Sequence, residues 1–283
     1  MQKQVNMDLK YLYHWLLANK ISLNCAKTEF IFFKREGQEF SFEFKIKMNG
    51  VKISPSKQIK YLGIFLDSHL NGDYHCKLLL NKLKRANGML CKARHYVPSH
   101  EIQSIYHAIF ASHMIYGCQV WGQSVNVHTE KIFKIQNRAM RIISFADFHS
   151  NADPIYKTLN ILKLNDFISM QNCLFVYDDL NENLPSCFDN YFKSIHEVHT
   201  LGTRASNLGC LFTTQINTTK YGLNSITRKC IDSWNFFTNI FKCNLKAVMR
   251  RRVEVAYFGG GGGRGVCKLL PPPPKICYKF VMI

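Results

Sequence analysis

Tyr177-Asp178-Asp179 is the place in this chain where side chains could hold a divalent metal. Paired carboxylates can position ions that stabilise the attacking and leaving oxygens of a phosphoryl displacement, provided a turn aims both at one point. The neighbours argue against such a turn. Phe167, Ile168, Gln171, Leu174, Phe175 and Tyr177 recur at helical spacing, which puts the two acids at a solvated helix end. His196 and His199 form one tight histidine pair, but no Cys-x-x-Cys occurs and no cysteine pair stands at finger spacing. A structural zinc site therefore has little support.

A second chemistry is electrostatic. Lys77, Lys82, Lys84, Arg85, Lys92 and Arg94 lie within residues 74–100 without one acid, and Lys131, Lys134, Arg138 and Arg141 form another stripe. Solvated helical faces normally mix both signs, whereas a single-signed face neutralises phosphates and releases their counterions. The whole chain agrees: 37 Lys+Arg against 19 Asp+Glu leaves +18, which makes nucleic acid the first partner to consider. An anionic membrane surface is the rival, yet no stretch approaches the roughly 20 apolar residues of a spanning helix. The first ten residues are polar and lack a signal-peptide core, so an intracellular protein, nuclear or cytoplasmic, is expected. The 11 cysteines are scattered through apolar segments and read as buried thiols. Trp121 and Trp234 could stack on bases, but large aromatics more often anchor cores.

The elements that must position these residues follow from periodicity. With 47% hydrophobic and 20% charged residues the chain is globular, and 283 residues suggest about two domains. Val5, Leu9, Leu12, Tyr13, Leu16 and Leu17 predict an opening amphipathic helix closed by Asn19 in the left-handed conformation. Residues 30–33 read as a strand, followed by a polar turn around Gly37. Strict alternation of Phe40, Phe42, Phe44, Ile46 and Met48 with polar residues predicts another strand, and Asn49-Gly50 a hairpin returning through Val51 and Ile53. Residues 59–66 are apolar on both faces, which suits a strand buried on two sides. Helices then take over. Leu79, Leu83, Ala86, Leu90 and Ala93 mark the first, and Ile102, Ile105, Tyr106, Ile109 and Phe110 a second that ends at Tyr116-Gly117. Thr129 is expected to cap a third, carrying Ile132, Ile135, Ala139 and Ile142 inward, with further starts at Asp153-Pro154 and Asn165. Residues 259–263 are all glycine and 271–274 all proline, so the segment 258–283 reads as a disordered Gly/Pro-rich tail. The proline run could instead recruit an SH3- or WW-type partner, a weaker reading.

Several ordered motifs together resemble the reverse transcriptases of non-LTR (LINE-type, jockey-like) retrotransposons, over about residues 9–252. The run 16–33, L-L-A-N-K-I-S-L-N-C-A-K-T-E-F-I-F-F, is similar to the segment that follows the family's catalytic Tyr-x-Asp-Asp turn. Met48-Asn49-Gly50-Val51-Lys52-Ile53 and Ile59-Lys60-Tyr61-Leu62-Gly63-Ile64-Phe65-Leu66-Asp67 resemble its hairpin and primer grip. Residues 113–122 (H-M-I-Y-G-C-Q-V-W-G), 132–143 (I-F-K-I-Q-N-R-A-M-R-I-I), Thr203-Arg204 and Ser233-Trp234-Asn235 are similar to its post-palm region.

The resemblance implies an α+β fold: a small palm remnant over 1–68, with a helix, a β-hairpin and a strand. A helical thumb-like region, 69–145, and a helical C-terminal region, 146–257, would follow. It implies that the metal-binding carboxylates, the fingers and the endonuclease domain belong before residue 1, so this chain alone is expected to need no cofactor and to be inactive, although the intact family enzyme uses magnesium. The metal turn belongs between two strands ahead of residues 16–33, where Tyr177-Asp178-Asp179 does not stand. Lys27 occupies the place of a lysine that could protonate departing pyrophosphate, a latent role without an active site. Tyr61 and Gly63 fall in the primer grip, where glycine permits close approach of a nucleic-acid strand. The expected partner is RNA or an RNA–DNA hybrid. A repurposed nucleic-acid-binding module, or an element relic with no selected function, is the alternative.

Overall fold

A computed structural model of the chain describes residues 2–24, 27–34, 37, 44–123, 127–188, 191–198, 201–212, 222 and 224–241. Phe40, Phe42, His199 and the Gly/Pro-rich segment lie outside them. The architecture is mixed α and β, in two compact units that divide between His75 and Cys76.

In the first unit, α1 spans Gln2–Ala18 and buries Val5 and Leu9, with Leu12, Tyr13 and Leu16 packed beside them. Leu17 is 53% exposed, outside the apolar face predicted for it. Lys20, not Asn19, takes the left-handed conformation, at φ 56. The Asn19 side chain folds back to donate to Trp15 O at 2.8 Å, so the helix runs one residue further. The Lys20 and Ile21 amides then close it on Leu17 O and Leu16 O, a Schellman end.

Strand β1 (Glu29–Phe30) is shorter than residues 30–33 suggest. Strands β2 (Lys47–Met48) and β3 (Val51–Lys52) form the expected hairpin. Asn49 and Gly50 both have positive φ, 49 and 77, the type I′ geometry that matches strand twist. Phe44, Ile46 and Met48 are buried while Lys45 and Lys47 face solvent, as alternation requires. Ile53 is buried on the return and Val51 is not. Strand β4 (Ser54–Pro55) pairs in parallel with β1. Asn6 ties α1 to this layer, donating to Lys45 O at 3.3 Å and accepting from Lys47 N at 3.0 Å.

Residues 59–66 are not a strand buried on two sides. They form a second hairpin, β5 (Gln58–Tyr61) against β6 (Ile64–Asp67), turning on Leu62-Gly63 at φ 46 and 85. Ile59 is buried, whereas Tyr61 and Leu62 at the tip are 43% and 72% exposed. The apolar run hides the turn because leucine, with its Cβ, is an unusual first residue for positive φ.

The helix α2 spans Asp73–Ala93 and carries the chain into the second unit. Next come α3 (Ser99–Tyr106), a π-turn at His107–Ala111 and α4 (Ser112–Ile115), a rod that ends at Tyr116-Gly117 as expected. Then follow α5 (Cys118–Trp121), α6 (Val127–Ile143), α7 (Asp153–Thr158), α8 (Leu164–Leu180), α9 (Ile195–Val198), α10 (Arg204–Asn207) and α11 (Ile226–Phe241). Thr129 sits inside the first turn of α6 rather than capping it. Likewise α8 begins one residue before Asn165, after extended Lys163. Asp153-Pro154 does open α7, with the Asn151 side chain accepting the Asp153 amide at 3.0 Å. One core gathers Leu83, Leu90, Tyr106, Phe110, Trp121, Ile132 and Met140; the other gathers Cys173, Val176, Leu211, Cys230 and Trp234. Helix α8 contributes to both, Leu164 and Ile168 to the first and Val176 to the second.

Cys76, Cys118, Cys173, Cys210 and Cys230 are buried thiols, but Cys187 is exposed, because it lies in a short 3-10 turn with no buried residue. Burial pushes Cys118 up to about 11 and Cys173 and Cys230 up to about 12. Burial, opposed by the Gln136 hydrogen bond, puts Tyr106 at about 12, and Tyr156 is raised by burial and by the negative charge of its neighbours. In the unfolded chain thiols ionise near about 8.5 and tyrosines near about 10. The unfolded state therefore releases these protons first, and stability present below about pH 8 is lost as pH rises toward 12. Melting temperature should stay level from about pH 6 to 8 and fall steadily above about pH 9. A melting temperature unchanged to pH 11 would show that these groups do not stay protonated in the fold.

Candidate nucleic-acid interface

Helix α2 turns its apolar stripe, Leu79, Leu83, Ala86 and Leu90, into the core, which leaves Lys77, Lys82, Lys84, Arg85 and Lys92 in solvent. Helix α6 does the same. Ile132, Ala139 and Ile142 are buried, Lys131, Lys134 and Arg138 are exposed, and Arg141 is half-buried. The two helices are neighbours: the Asn87 side chain donates to Ile135 O at 3.0 Å, and farther along Arg94 lies over the Phe145 ring at 4.7 Å. They therefore run in the same sense, and both predicted basic stripes belong to one unit. Each helix does open with one acid, Asp73 and Glu130. Both sit in the first turn, where the helix dipole favours negative charge, and the exposed stripes beyond them carry none.

Three of the predicted cations have partners of their own. The Arg141 Nε donates to Ser150 O at 2.7 Å, and Arg94 stacks on Phe145. The Arg138 guanidinium lies over the Phe148 ring, 5.8 Å from its centre, and Lys77, Lys82, Lys84, Arg85, Lys92, Lys131 and Lys134 are exposed to solvent.

On the first unit, Tyr61 and Gly63 sit at the tip of the β5–β6 hairpin. Lys60 reaches over Phe65, 5.9 Å from its ring centre, and braces the tip from one side. Gly63 serves the turn itself through its positive φ. Asp67 closes this motif by accepting the His69 and Asn71 amides, each at 3.1 Å, and the Gly72 amide at 2.9 Å, which fixes the loop into α2. Lys27 is exposed in a single 3-10 turn.

Tyr177, Asp178 and Asp179 occupy the last turn of α8. Tyr177 is packed in the core, and Asp179 accepts the Phe192 amide at 3.3 Å. Adjacent residues on a helix diverge by about 100°, so the pair does not converge as a two-metal centre requires. Among the described residues no group of three or more His, Cys, Asp or Glu could hold a metal ion, and no helix is long and apolar enough to cross a membrane.

The polar residues of the other motifs prove to be clamps. Gln136 is fully buried; it donates to Leu162 O at 2.9 Å and accepts from Leu164 N at 2.9 Å. Asn137 accepts from the Tyr156 hydroxyl at 2.8 Å. Asn235 grips Leu211 from both sides, accepting its amide at 2.8 Å and donating to its carbonyl at 3.0 Å, while Thr203 caps α10. Trp121 and Trp234 are buried, and their ring N–H groups donate to Tyr116 O and Gly209 O, both at 3.0 Å. Gly122 has no room for a Cβ between Cys118 O and the Ile168 side chain.

Sequence reasoning missed a polar pocket of about 320 Å³ in the second unit, lined by Gln123, Glu130, Asn172, Lys229 and Ser233 among others. Its members are far apart in sequence, and a Gln123 to Asn172 hydrogen bond of 2.8 Å spans it. It also missed Phe145 and Phe148, which are exposed on the loop after α6.

No protein-family model matches the chain, and no solved structure does so significantly. Curated proteins do. The chain is 28% identical over 135 residues to the probable RNA-directed DNA polymerase from transposon BS of Drosophila melanogaster, covering 44% of this chain and 14% of that protein. It is 24% identical over 166 residues to the corresponding X-element protein of the same species, 57% of this chain and 18% of that one. It is 27% identical over 158 residues to the RNA-directed DNA polymerase from mobile element jockey of Drosophila funebris, 54% and 17% respectively. The match thus spans 14–18% of the length of these relatives. The resemblance read from the ordered motifs holds: over these stretches the chain is similar to the RNA-directed DNA polymerases of mobile elements.

Proposed function

We propose that this chain holds template-primer nucleic acid, RNA or an RNA–DNA hybrid, as the palm-end, primer-grip and thumb-like part of a reverse transcriptase. The observation that carries the reading is the pair of neighbouring helices, α2 and α6, with single-signed cationic faces. Lys77, Lys82, Lys84, Arg85, Lys92, Lys131, Lys134 and Arg138 contact phosphates, with Arg94 and Arg141 behind them. Tyr61 and Gly63, at the hairpin tip of the other unit, are the primer-grip candidates. Kinship to RNA-directed DNA polymerases supports the choice of partner. The domain limits read from the sequence, 1–68, 69–145 and 146–257, belong to the same proposal.

The 283 residues contain no Tyr-x-Asp-Asp. Their one pair of adjacent aspartates after a tyrosine is helical and diverging, so the chemistry of polymerisation, for which the family resemblance implies magnesium, is assigned to none of them. Fluorescence anisotropy of the chain with a labelled RNA–DNA hybrid should show binding at about 50 mM salt that weakens steeply with added salt and depends little on sequence. No binding at low salt would sink the proposal. The same polypeptide should not extend a primed RNA template with magnesium and deoxynucleotides. Template-dependent extension that disappears in Asp178→Ala/Asp179→Ala would restore the helical pair as a catalytic site.

A further inference from the structure

Phe145 and Phe148 stand in solvent while cations close over them. Phe145 follows α6 with φ 56, the left-handed region that favours glycine, and ends the helix through its amide on Ile142 O and the Ala146 amide on Arg141 O. A bulky ring is held there at 46% exposure, and Phe148 three residues on is 64% exposed. The Arg94 guanidinium lies 4.7 Å from the Phe145 ring centre and that of Arg138 lies 5.8 Å from the Phe148 ring centre. The Arg94 Nε is buried without a hydrogen-bond partner. Below them the loop is stiffened: Arg141 holds Ser150 O, and the Ser150 hydroxyl and amide both bond to Asp147 O, at 2.8 and 3.1 Å. Asp147 is the lone acid of residues 144–150, against three arginines, Arg94 just past the end of α2 and Arg138 and Arg141 on α6.

We propose that the loop 144–150 is a stacking platform for unpaired nucleotides, with Phe148 and Phe145 meeting base faces and Arg94 and Arg138 facing the adjoining phosphates. This rests on the nucleic-acid reading above and extends it from duplex backbone to single strand. Exposed aromatic faces beside arginine are what unpaired bases select, since every base has a π-face and every nucleotide a charge. Protein interfaces also favour aromatics and arginine but are poor in lysine, so the exposed lysines of the adjoining α2 and α6 faces are what select a polyanion here.

Anisotropy with a single-stranded RNA of about 12 nucleotides, beside a hybrid of equal length, tests the platform. Phe148→Ala should weaken single-strand binding about tenfold with the salt slope unchanged, because stacking releases no counterions. Hybrid affinity should change less than about twofold. Phe148→Trp should restore or strengthen single-strand binding, which a purely structural role for the ring would not produce. Circular dichroism verifies the fold of each variant. If the parent binds both probes and Phe148→Ala and Phe145→Leu bind single strand as the parent does, the platform is wrong and the hybrid reading stands. If the parent binds neither probe, both are wrong.

Discussion

Trp234→Ala is expected to destabilise the chain by about 3–5 kcal/mol, the usual cost of removing a buried tryptophan and leaving the hole it filled. Trp234 is 2% exposed at the centre of the core that joins α8 to α11, against Cys173, Val176, Leu211, Cys230 and Ile231. Its ring N–H also satisfies Gly209 O at 3.0 Å, so truncation strands a backbone acceptor as well as opening a cavity. At roughly 2–4 °C per kcal/mol for a domain of this size, the melting temperature should fall by about 6–20 °C. Phe236, two residues on, is 59% exposed and serves as the control. Phe236→Ala should change stability by less than about 0.5 kcal/mol. Equal losses at the two positions would mean that α11 does not pack on α8 through its Trp234 face.

The variant Lys131→Gln/Lys134→Gln/Arg138→Gln should bind an RNA–DNA hybrid roughly a hundredfold more weakly at about 0.1 M salt, with its log–log salt slope smaller by about two to three. Each lost phosphate contact removes about 0.7–0.9 from that slope, so slope and affinity must move together. Arg141 is left in place because its bond to Ser150 O holds the loop after α6, and removing it would confuse charge with structure. Glutamine is a good helix former and all three side chains project from an exposed face, so α6 should persist by circular dichroism. Weaker binding with an unchanged slope would mean that the substitutions disturbed something other than phosphate contacts.

Much of this could be read from residue order. Periodicity found the rod ending at Tyr116-Gly117 and the inward and outward faces of α2 and α6. Alternation found Phe44, Ile46 and Met48, and Asn49-Gly50 announced its own turn because both residues tolerate positive φ. What failed did so for the opposite reason. Leu62-Gly63 makes the same turn with a residue that resists it, so an apolar run concealed a hairpin. Phe145 does likewise at the end of α6, taking a place where glycine is usual, and nothing local marks it as a cap. The helix starts expected at Thr129 and Asn165 fall one to three residues late, since several polar residues there could cap equally well and tertiary packing chooses among them. The clamps formed by Gln136, Asn137 and Asn235 were recognisable as parts of motifs. Their partners, Leu162, Leu164, Tyr156 and Leu211, are distant in sequence and were not legible. The polar pocket around Asn172 was hidden for the same reason.

The central claim is that the acid-free faces of α2 and α6 touch the nucleic-acid backbone, and lysine footprinting reads that contact directly. The chain is acylated with a lysine-selective reagent, free and with saturating RNA–DNA hybrid, and modification at each lysine is measured by mass spectrometry. Lys77, Lys82, Lys84, Lys131 and Lys134 should react freely alone and be protected in the complex. Lys157 and Lys193, exposed on other elements of the same unit, should react equally in both states. Protection confined to these two, or unchanged reactivity along both stripes in a complex that demonstrably forms, would contradict the account.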